Sequence, residues 1–257
     1  MEVVWGARTD RGRVREINED AFLTDPPVFV VADGMGGHES GETASAEVVA
    51  QFAGAGPRDI TPEWITECLA IANRRIRDGA GGGTTATGAA LVERDGRPYW
   101  LVFNIGDSRV YLSDGSDLRQ ISVDHSVVQE LVDAGRITPA RARTHPERHI
   151  VTRAVGTVAD PRPDFWLVPR GLGDRLLLCS DGVTGELDDA AIADALRQPG
   201  SAQDVAERIT ARALRAGGRD NITCVVIDVR PSDGEPGDAG GEQNCDDTRP
   251  RTRGAPG

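Results

Sequence analysis

The chain has 257 residues, with 41 acidic and 29 basic side chains, a formal charge of −12 and 39% hydrophobic residues. This composition is typical of a soluble globular protein and supplies enough apolar material for a substantial core. The acidic balance disfavours nucleic-acid binding, which needs a basic face, and no apolar run reaches the roughly 20 residues of a membrane span.

All the basic side chains are arginine, because the sequence contains no lysine. This excludes P-loop nucleotide hydrolases and protein kinases, which place a lysine on the phosphates, and Schiff-base enzymes. The first residues are charged at Glu2 and form no apolar segment, so no signal peptide is predicted and we expect a cytoplasmic protein. The cysteines form no C-x-x-C pair, and we expect reduced thiols at Cys68, Cys179, Cys224 and Cys245.

Strands and helices are predicted in clusters along the chain. Short apolar runs predict strands at 28–32, 84–92, 99–103, 175–179 and 222–227. Helical periodicity predicts helices at 42–52, 62–77, 127–134, 190–196 and 202–216. A hairpin between 99–105 and 109–113 is also expected, and the clustering favours a layered α+β body with antiparallel sheets.

The last residues differ from this body in composition. Residues 231–257 contain almost no apolar side chains and are rich in glycine, proline and acidic residues. Such a segment buries too little surface to offset the entropy of ordering it. We therefore expect a catalytic or binding domain at 1–230 and a disordered tail at 231–257.

Acidic residues recur in short turns, several of them directly after predicted strands. They are the pair Glu19-Asp20 and the single residues Asp33, Asp107, Asp181 and Asp220. Strand ends are rigid, glycine lets a backbone carbonyl approach a ligand, and oxygen-only ligands select hard cations such as Mg²⁺ or Mn²⁺. One Asp-Gly by itself is more often an ordinary turn. The set together indicates a metal site.

Seven short motifs occur in one order over roughly residues 5–229. They are Gly12-x-x-Arg15-x-x-Asn18-Glu19-Asp20, Ala32-Asp33-Gly34-Met35-Gly36-Gly37-His38, Gly83-Thr84-Thr85, Asn104-Ile105-Gly106-Asp107-Ser108-Arg109, Asp124-His125-Ser126, Ser180-Asp181-Gly182 and Asp220-Asn221-Ile222-Thr223. In this order they resemble the metal-dependent serine/threonine protein phosphatases, the PPM or phosphatase-2C-like family, in its bacterial single-domain form. The resemblance implies a four-layer αββα sandwich of two antiparallel sheets flanked by helices, with a metal cleft at one edge.

The resemblance also implies a ligand set for two Mn²⁺ or Mg²⁺ ions and a third, weaker one. Asp33 is expected to bridge the two ions, with Asp181 and Asp220 on the first and the Gly34 carbonyl on the second. Glu19 and Asp20 are expected to act nearby, partly through water. Asp107, together with Asp181, matches the position that holds the third ion. Arg15 matches the arginine that binds the substrate phosphate, and its planar fork suits phosphate oxygens.

The implied reaction is hydrolysis of phosphoserine and phosphothreonine in proteins, which reverses kinase signalling. Two cations lower the pKa of a shared water, and the resulting hydroxide attacks phosphorus without a phosphoenzyme. The expected partners are phosphorylated proteins, including a serine/threonine kinase, and we expect a monomer that binds neither nucleic acid nor membranes. Met35 stands where many eukaryotic members have a histidine. His38 is the candidate acid for the leaving alkoxide, and an ordinary loop histidine is the other interpretation.

Residues 126–150 resemble the family's flap beside the cleft, a mobile element that recognises the substrate protein, with Ser126, Arg136 and Arg148 as its candidate residues. The alternative is a pair of solvated helices. Of two rival functions, the first is discounted and the second stays open as the alternative. A cysteine phosphatase is suggested only by the C-x5-R spacing at Cys68 and Cys224, neither of which has a glycine-rich loop. A non-catalytic metal- and phosphoprotein-binding module would show a substituted carboxylate, and none of the expected carboxylates is substituted.

Overall fold

The computed structural model describes residues 1–37, 39–56, 60–79 and 81–232. The strands in these ranges are β1 (Glu2–Asp10), β2 (Asp20–Asp25), β3 (Val28–Met35), β4 (Gly83–Thr84), β5 (Ala86–Arg94), β6 (Arg97–Ile105), β7 (Arg109–Ser113), β8 (Leu118–Gln120), β9 (Asp164–Pro169), β10 (Arg175–Cys179) and β11 (Ile222–Arg230). The helices are α1 (Glu39–Ala50), α2 (Pro62–Asp78), α3 (Val127–Asp133), α4 (Pro139–Ala142), α5 (Asp181–Thr184), α6 (Asp189–Arg197) and α7 (Ala202–Ala216). The predicted tail lies outside these ranges apart from its first two residues.

The strands form two antiparallel sheets. The first has the order β1-β11-β10-β7-β8, and the second has the order β2-β3-β5-β6-β9, with β4 paired to β3. Because side chains alternate between the faces of a strand, each sheet presents two apolar faces. In β3, Phe29 and Val31 pack between the sheets, whereas Val28 and Val30 face α1 and α2.

The first sheet is covered in the same manner. In β10, Leu176 and Leu178 pack between the sheets, and Leu177 faces α6 and α7. The result is four layers, helix, sheet, sheet and helix. The predicted αββα sandwich is therefore confirmed.

Local signals place the helix ends. Thr61 caps α2, and its hydroxyl accepts a hydrogen bond from the backbone N–H of Trp64. Ser201 and Asp204 form a capping box at the start of α7, in which each side chain accepts from the other's backbone N–H. These caps explain why the predicted helices at 62–77 and 202–216 agree closely with the observed bounds.

The predicted hairpin between 99–105 and 109–113 is wrong. β6 pairs with β5 and β9 in one sheet, whereas β7 pairs with β10 and β8 in the other. The turn between them crosses from sheet to sheet through Gly106, whose φ is +109° and whose missing Cβ leaves room for Thr85. The crossing brings Asp107 to the end of the sandwich where the other acidic motifs lie.

In the described ranges, the helices are too short or too polar to cross a membrane.

Candidate active site

The acidic motifs meet where the ends of the two sheets come together. Asp33 lies near the end of β3 and is directly opposite Asp20 in β2. Asp181 follows β10 and begins α5, and Asp220 lies two residues before β11. Strand ends from both sheets therefore position carboxylates that are far apart in the sequence.

One cleft of about 570 Å³ collects most of the predicted site. Its lining includes Arg15, Glu19, Asp33, Gly34, Asp107, Arg148, Asp181 and Asp220. Asp20 is not part of the lining. Its Oδ2 accepts a hydrogen bond of 2.8 Å from the Ser180 hydroxyl, which joins the second sheet to the first beside the cleft.

Burial and neighbouring carboxylates raise the pKa of three acidic side chains in this cluster. Burial, together with the neighbouring charges of Asp181 and Asp220, raises the pKa of Asp20 to about 7. Burial also holds the pKa of Asp33 well above its usual range, and the charges of Asp20 and Asp181 raise it most among its neighbours. The pKa of Asp107 is raised by burial and by Asp181. A cluster of this kind is stabilised by cations.

The donor atoms fit hard divalent cations. Asp20 Oδ1 and Asp181 Oδ1 are buried and lack a hydrogen-bond partner within the described part of the chain. Such oxygens are costly unless a cation or a proton satisfies them. Among the described residues, however, no three His, Cys, Asp or Glu side chains stand in the arrangement of a finished metal site.

Gly34 allows the backbone to pass close to this cluster. A Cβ at Gly34 would overlap the carbonyl oxygens of Gly41 and Glu19. The Gly34 N–H also donates to the Glu19 carbonyl at 3.1 Å. A side chain at this position would therefore separate β3 from the segment that carries Glu19.

Arg15 lies at the cleft but contacts a carboxylate. Its Nη2 donates to Asp220 Oδ2 at 2.7 Å, and the side chain is half exposed. This hydrogen bond raises the pKa of Arg15. The guanidinium therefore neutralises Asp220 while remaining within reach of a ligand in the cleft.

Asn221 is a site residue to which sequence reasoning assigned no role. Its Nδ2 donates to the carbonyls of Arg11 and Ile17 at 2.9 Å each, and its Oδ1 accepts from the Glu19 N–H at 2.9 Å. It thereby fixes the 11–19 loop, which carries Arg15, against Asp220. The sequence indicated Asn221 only by its place directly after Asp220 in the motif Asp220-Asn221-Ile222-Thr223. Its hydrogen-bonding partners are 202 or more positions away in the chain, so the motif could not show its role.

The flap segment (residues 126–150) contains α3 and α4 and borders the cleft. Arg148 lines the cleft, as does His149, whose Nδ1 lies 3.8 Å from Asp181 Oδ2. Ser126 is buried and caps α3, and it lines a neighbouring cavity of about 290 Å³ that shares Asp107 and Asp181 with the cleft. Arg136 is exposed and lines neither cavity.

His38 lies outside the described residues, so its role as a proton donor stays a prediction.

The cysteines within the described ranges are buried. Burial raises the pKa of Cys68 and of Cys224 to about 11, and it raises the pKa of Cys179 by more. A thiol with a raised pKa is a poor nucleophile at neutral pH.

Comparison with known proteins shows the class to which this αββα sandwich belongs. The family model described as "Protein phosphatase 2C" matches residues 10–218. Serine/threonine protein phosphatase PstP of Mycobacterium tuberculosis is 40% identical over 235 residues, which are 88% of this chain and 45% of that protein. Serine/threonine phosphatase stp of Listeria welshimeri is 35% identical over 86% of this chain and 94% of its own length.

Solved structures agree with these relatives. The PPM Ser-Thr phosphatase MsPP of Mycobacterium smegmatis, in complex with cacodylate, superposes with a TM-score of 0.78 at 41% identity, covering 88% of this chain and 98% of that one. The catalytic domain of PstP, in complex with two manganese ions, gives a TM-score of 0.78 at 35% identity over 89% of this chain and 99% of that one. The chain belongs to the protein phosphatase 2C family, whose relatives named here are serine/threonine protein phosphatases.

Proposed function

We propose that this chain hydrolyses phosphoserine and phosphothreonine in proteins with the help of Mn²⁺ or Mg²⁺. The observation that carries the proposal is the convergence of Asp33, Asp181 and Asp220 with Arg15 in one cleft. An anion would be repelled by these carboxylates alone. Family membership and the two manganese ions in the PstP catalytic domain support a site in which cations reverse that repulsion.

Each predicted ligand has a place in this proposal. Asp33, Asp181 and Asp220 would hold the first ion, and Asp33 with the Gly34 carbonyl would hold the second, with Glu19 and Asp20 nearby. A third ion would lie between Asp107 and Asp181. The ions supply a water that loses its proton near neutral pH and positive charge for the phosphoryl oxygens.

The protein's own side chains bind and orient the phosphate. Arg15 exchanges its contact with Asp220 for phosphoryl oxygens, because its fork geometry suits two of them at once. The 11–19 loop keeps this guanidinium in place through Asn221. Protonation of the leaving alkoxide is assigned to His38 or to a water, since Met35 has no proton to give.

Replacing Arg15 by alanine is expected to weaken substrate binding. Hydrogen bonds to charged groups contribute about 1.5–3 kcal/mol, so kcat/KM for a phosphothreonine peptide is expected to fall roughly 10- to 150-fold. Steady-state kinetics on the metal-loaded protein measure this change. Arg13→Ala, an exposed arginine of the same loop, is the matched control and is expected to retain wild-type kinetics. Equal kinetics for the two variants would remove Arg15 from substrate binding.

The same proposal extends to the location, the oligomeric state and the partners of the protein. We infer a cytoplasmic monomer with residues 1–230 as its catalytic domain, acting on phosphoproteins that include a serine/threonine kinase. The flap segment would contact the protein part of the substrate through its exposed Arg136 and Arg148, while the buried Ser126 caps α3. Its exposed arginines suit acidic or phosphorylated surfaces.

The test is phosphate release from a phosphothreonine peptide by the purified chain, with and without iodoacetamide. We expect turnover that iodoacetamide leaves intact, since the described cysteines are buried. Loss of turnover on alkylation would point to a cysteine nucleophile. A folded protein that binds the phosphopeptide without releasing phosphate would favour the non-catalytic module.

A further inference from the structure

The turn that carries Asp107 is bonded on both sides of its Gly106 peptide to a buried histidine. The Gly106 N–H donates to His125 Nδ1 at 3.1 Å, and the His125 N–H donates to the Gly106 carbonyl at 2.8 Å. His125 is 3% exposed. Both backbone groups of the residue before Asp107 are therefore bonded to the same partner.

The opposite side of the ring contacts the second sheet. His125 Nε2 lies 3.1 Å from Asp164 Oδ2, at the start of β9. A backbone N–H can only donate, so Nδ1 accepts from Gly106 and carries no hydrogen. The ring is therefore the neutral tautomer with its hydrogen on Nε2, which donates to Asp164.

Both ends of the flap segment also meet at this histidine. Ser126 follows it directly and caps α3. The Thr152 N–H, just beyond the far end of the flap segment, donates to the His125 carbonyl at 2.8 Å, and Ser126 forms a β-bridge with Val151. One residue thus contacts the Asp107 turn and the start and end of the flap segment.

A second buried contact runs alongside the first. Arg109, two residues after Asp107, forms an ion pair with Asp124, the residue before His125, and the shortest N···O distance is 2.7 Å. Both side chains are largely buried. This pair already holds the two segments near each other, so the contribution specific to His125 is the orientation of the Gly106 peptide.

We propose that His125 is a positioning residue that fixes the Asp107 turn relative to the flap segment, so that the cleft and the flap act on a protein substrate as one rigid surface. The proposal rests on the proposed phosphatase function. His125 does not line the cleft, and it acts through Gly106 and the flap. A small aryl phosphate meets the flap only at Arg148 and His149, which line the cleft, whereas a phosphopeptide extends over the rest of the flap segment.

Two conservative variants separate the two bonds of the ring. His125→Asn places an oxygen acceptor near the position of Nδ1 and keeps the Gly106 bond. His125→Gln places an N–H donor near the position of Nε2 and keeps the Asp164 bond while leaving the buried Gly106 N–H unpaired. A role that only stabilises the fold predicts similar losses for both, because each variant removes one hydrogen bond.

Kinetics on two substrates provide the first readout. For His125→Gln we expect KM for a phosphothreonine peptide to rise about tenfold, the factor that corresponds to an unpaired buried donor, while KM for p-nitrophenyl phosphate stays at the wild-type value. His125→Asn is expected to stay close to wild type on both substrates. Equal behaviour of the two variants, or an equal rise for both substrates, would overturn the proposal.

Limited trypsin digestion provides a readout that needs no activity. The flap segment offers cleavage sites after Arg136, Arg141, Arg143 and Arg148. We expect His125→Gln to be cut there faster than the wild type and His125→Asn. Unchanged cleavage would contradict the positioning role, whether or not the wild type is active. An inactive wild type with the expected difference in cleavage would refute the proposed function and leave the positioning role standing.

Discussion

The Asp33→Asn variant is expected to lose phosphatase activity and to gain stability when no metal is present. Asp33 is opposite Asp20, and burial and repulsion raise its pKa. Ions at such a site contribute several kcal/mol to the transition state, so kcat is expected to fall about 10³-fold or more. In the metal-free protein the same substitution removes a repelling charge, and the melting temperature is expected to rise.

These opposite signs make the variant a sharp test. Asp160→Asn, which changes an exposed carboxylate outside the cleft, is the matched control and is expected to leave both quantities unchanged. Turnover near the wild-type value in Asp33→Asn would refute the assignment of Asp33 as a metal ligand. A lower melting temperature of the metal-free variant would show that the carboxylates do not repel each other in the folded chain.

The metal-free protein is expected to lose stability as the pH rises from 5 to 7.5. A carboxyl whose pKa is raised by folding binds its proton more tightly in the folded state, so its contribution to stability is present at low pH and is lost up to the folded-state pKa. For Asp20, whose pKa rises from 3.8 to about 7, the part of this loss that falls between pH 5 and pH 7.5 is roughly 2.5 kcal/mol. Asp33 adds to it with the same sign.

Thermal melts of EDTA-treated protein at pH 5 and pH 7.5 measure this slope. Burial lowers the pKa of His125, which gives a slope of opposite sign, so the comparison with Asp20→Asn isolates the carboxyl. We expect the pH-dependent loss to be smaller in Asp20→Asn, and Mn²⁺ to raise the melting temperature of the wild type at pH 7.5. An identical slope in wild type and variant would contradict the raised pKa of Asp20.

Strands buried on both faces were the easiest elements to predict. The apolar runs at 175–179 and 222–227 match β10 and the first part of β11, because their apolar side chains pack against a sheet or a helix. β1 was not predicted, because its residues mix polar and apolar types and are only partly buried. It is a strand because each residue from Glu2 to Asp10 pairs with β11.

The bounds near the cleft also differ from their prediction. The strand at 28–32 continues to Met35 as β3, since Gly34 and Met35 pair with β4. The strand predicted at 84–92 is divided at Thr85, whose hydroxyl accepts from the Asp33 N–H at 2.9 Å. In both cases a contact between distant segments decides the bounds, and such contacts leave no periodic pattern in the sequence.

The acidic side chains of the site were visible in the sequence, but their grouping was not. A run of apolar residues followed by Asp-Gly predicts a strand end. This pattern places Asp33 and Asp181 each at the end of its own strand, but it does not predict that the two lie close together. That both carboxylates lie in one cleft with Arg15 was implied by the family resemblance. Asn221 and His125 act through hydrogen bonds to residues far away in the chain, so no local pattern indicated their roles.

The most direct test of the account is phosphate release from a phosphothreonine peptide by EDTA-stripped protein, titrated with Mn²⁺ and, in parallel, with Mg²⁺. The carboxylate cluster predicts no turnover in the stripped protein and a saturable return of turnover as either ion is added. Turnover that survives stripping and ignores added metal would contradict the role given to Asp33, Asp181 and Asp220. A folded protein that stays inactive at every metal concentration would contradict the proposed function itself.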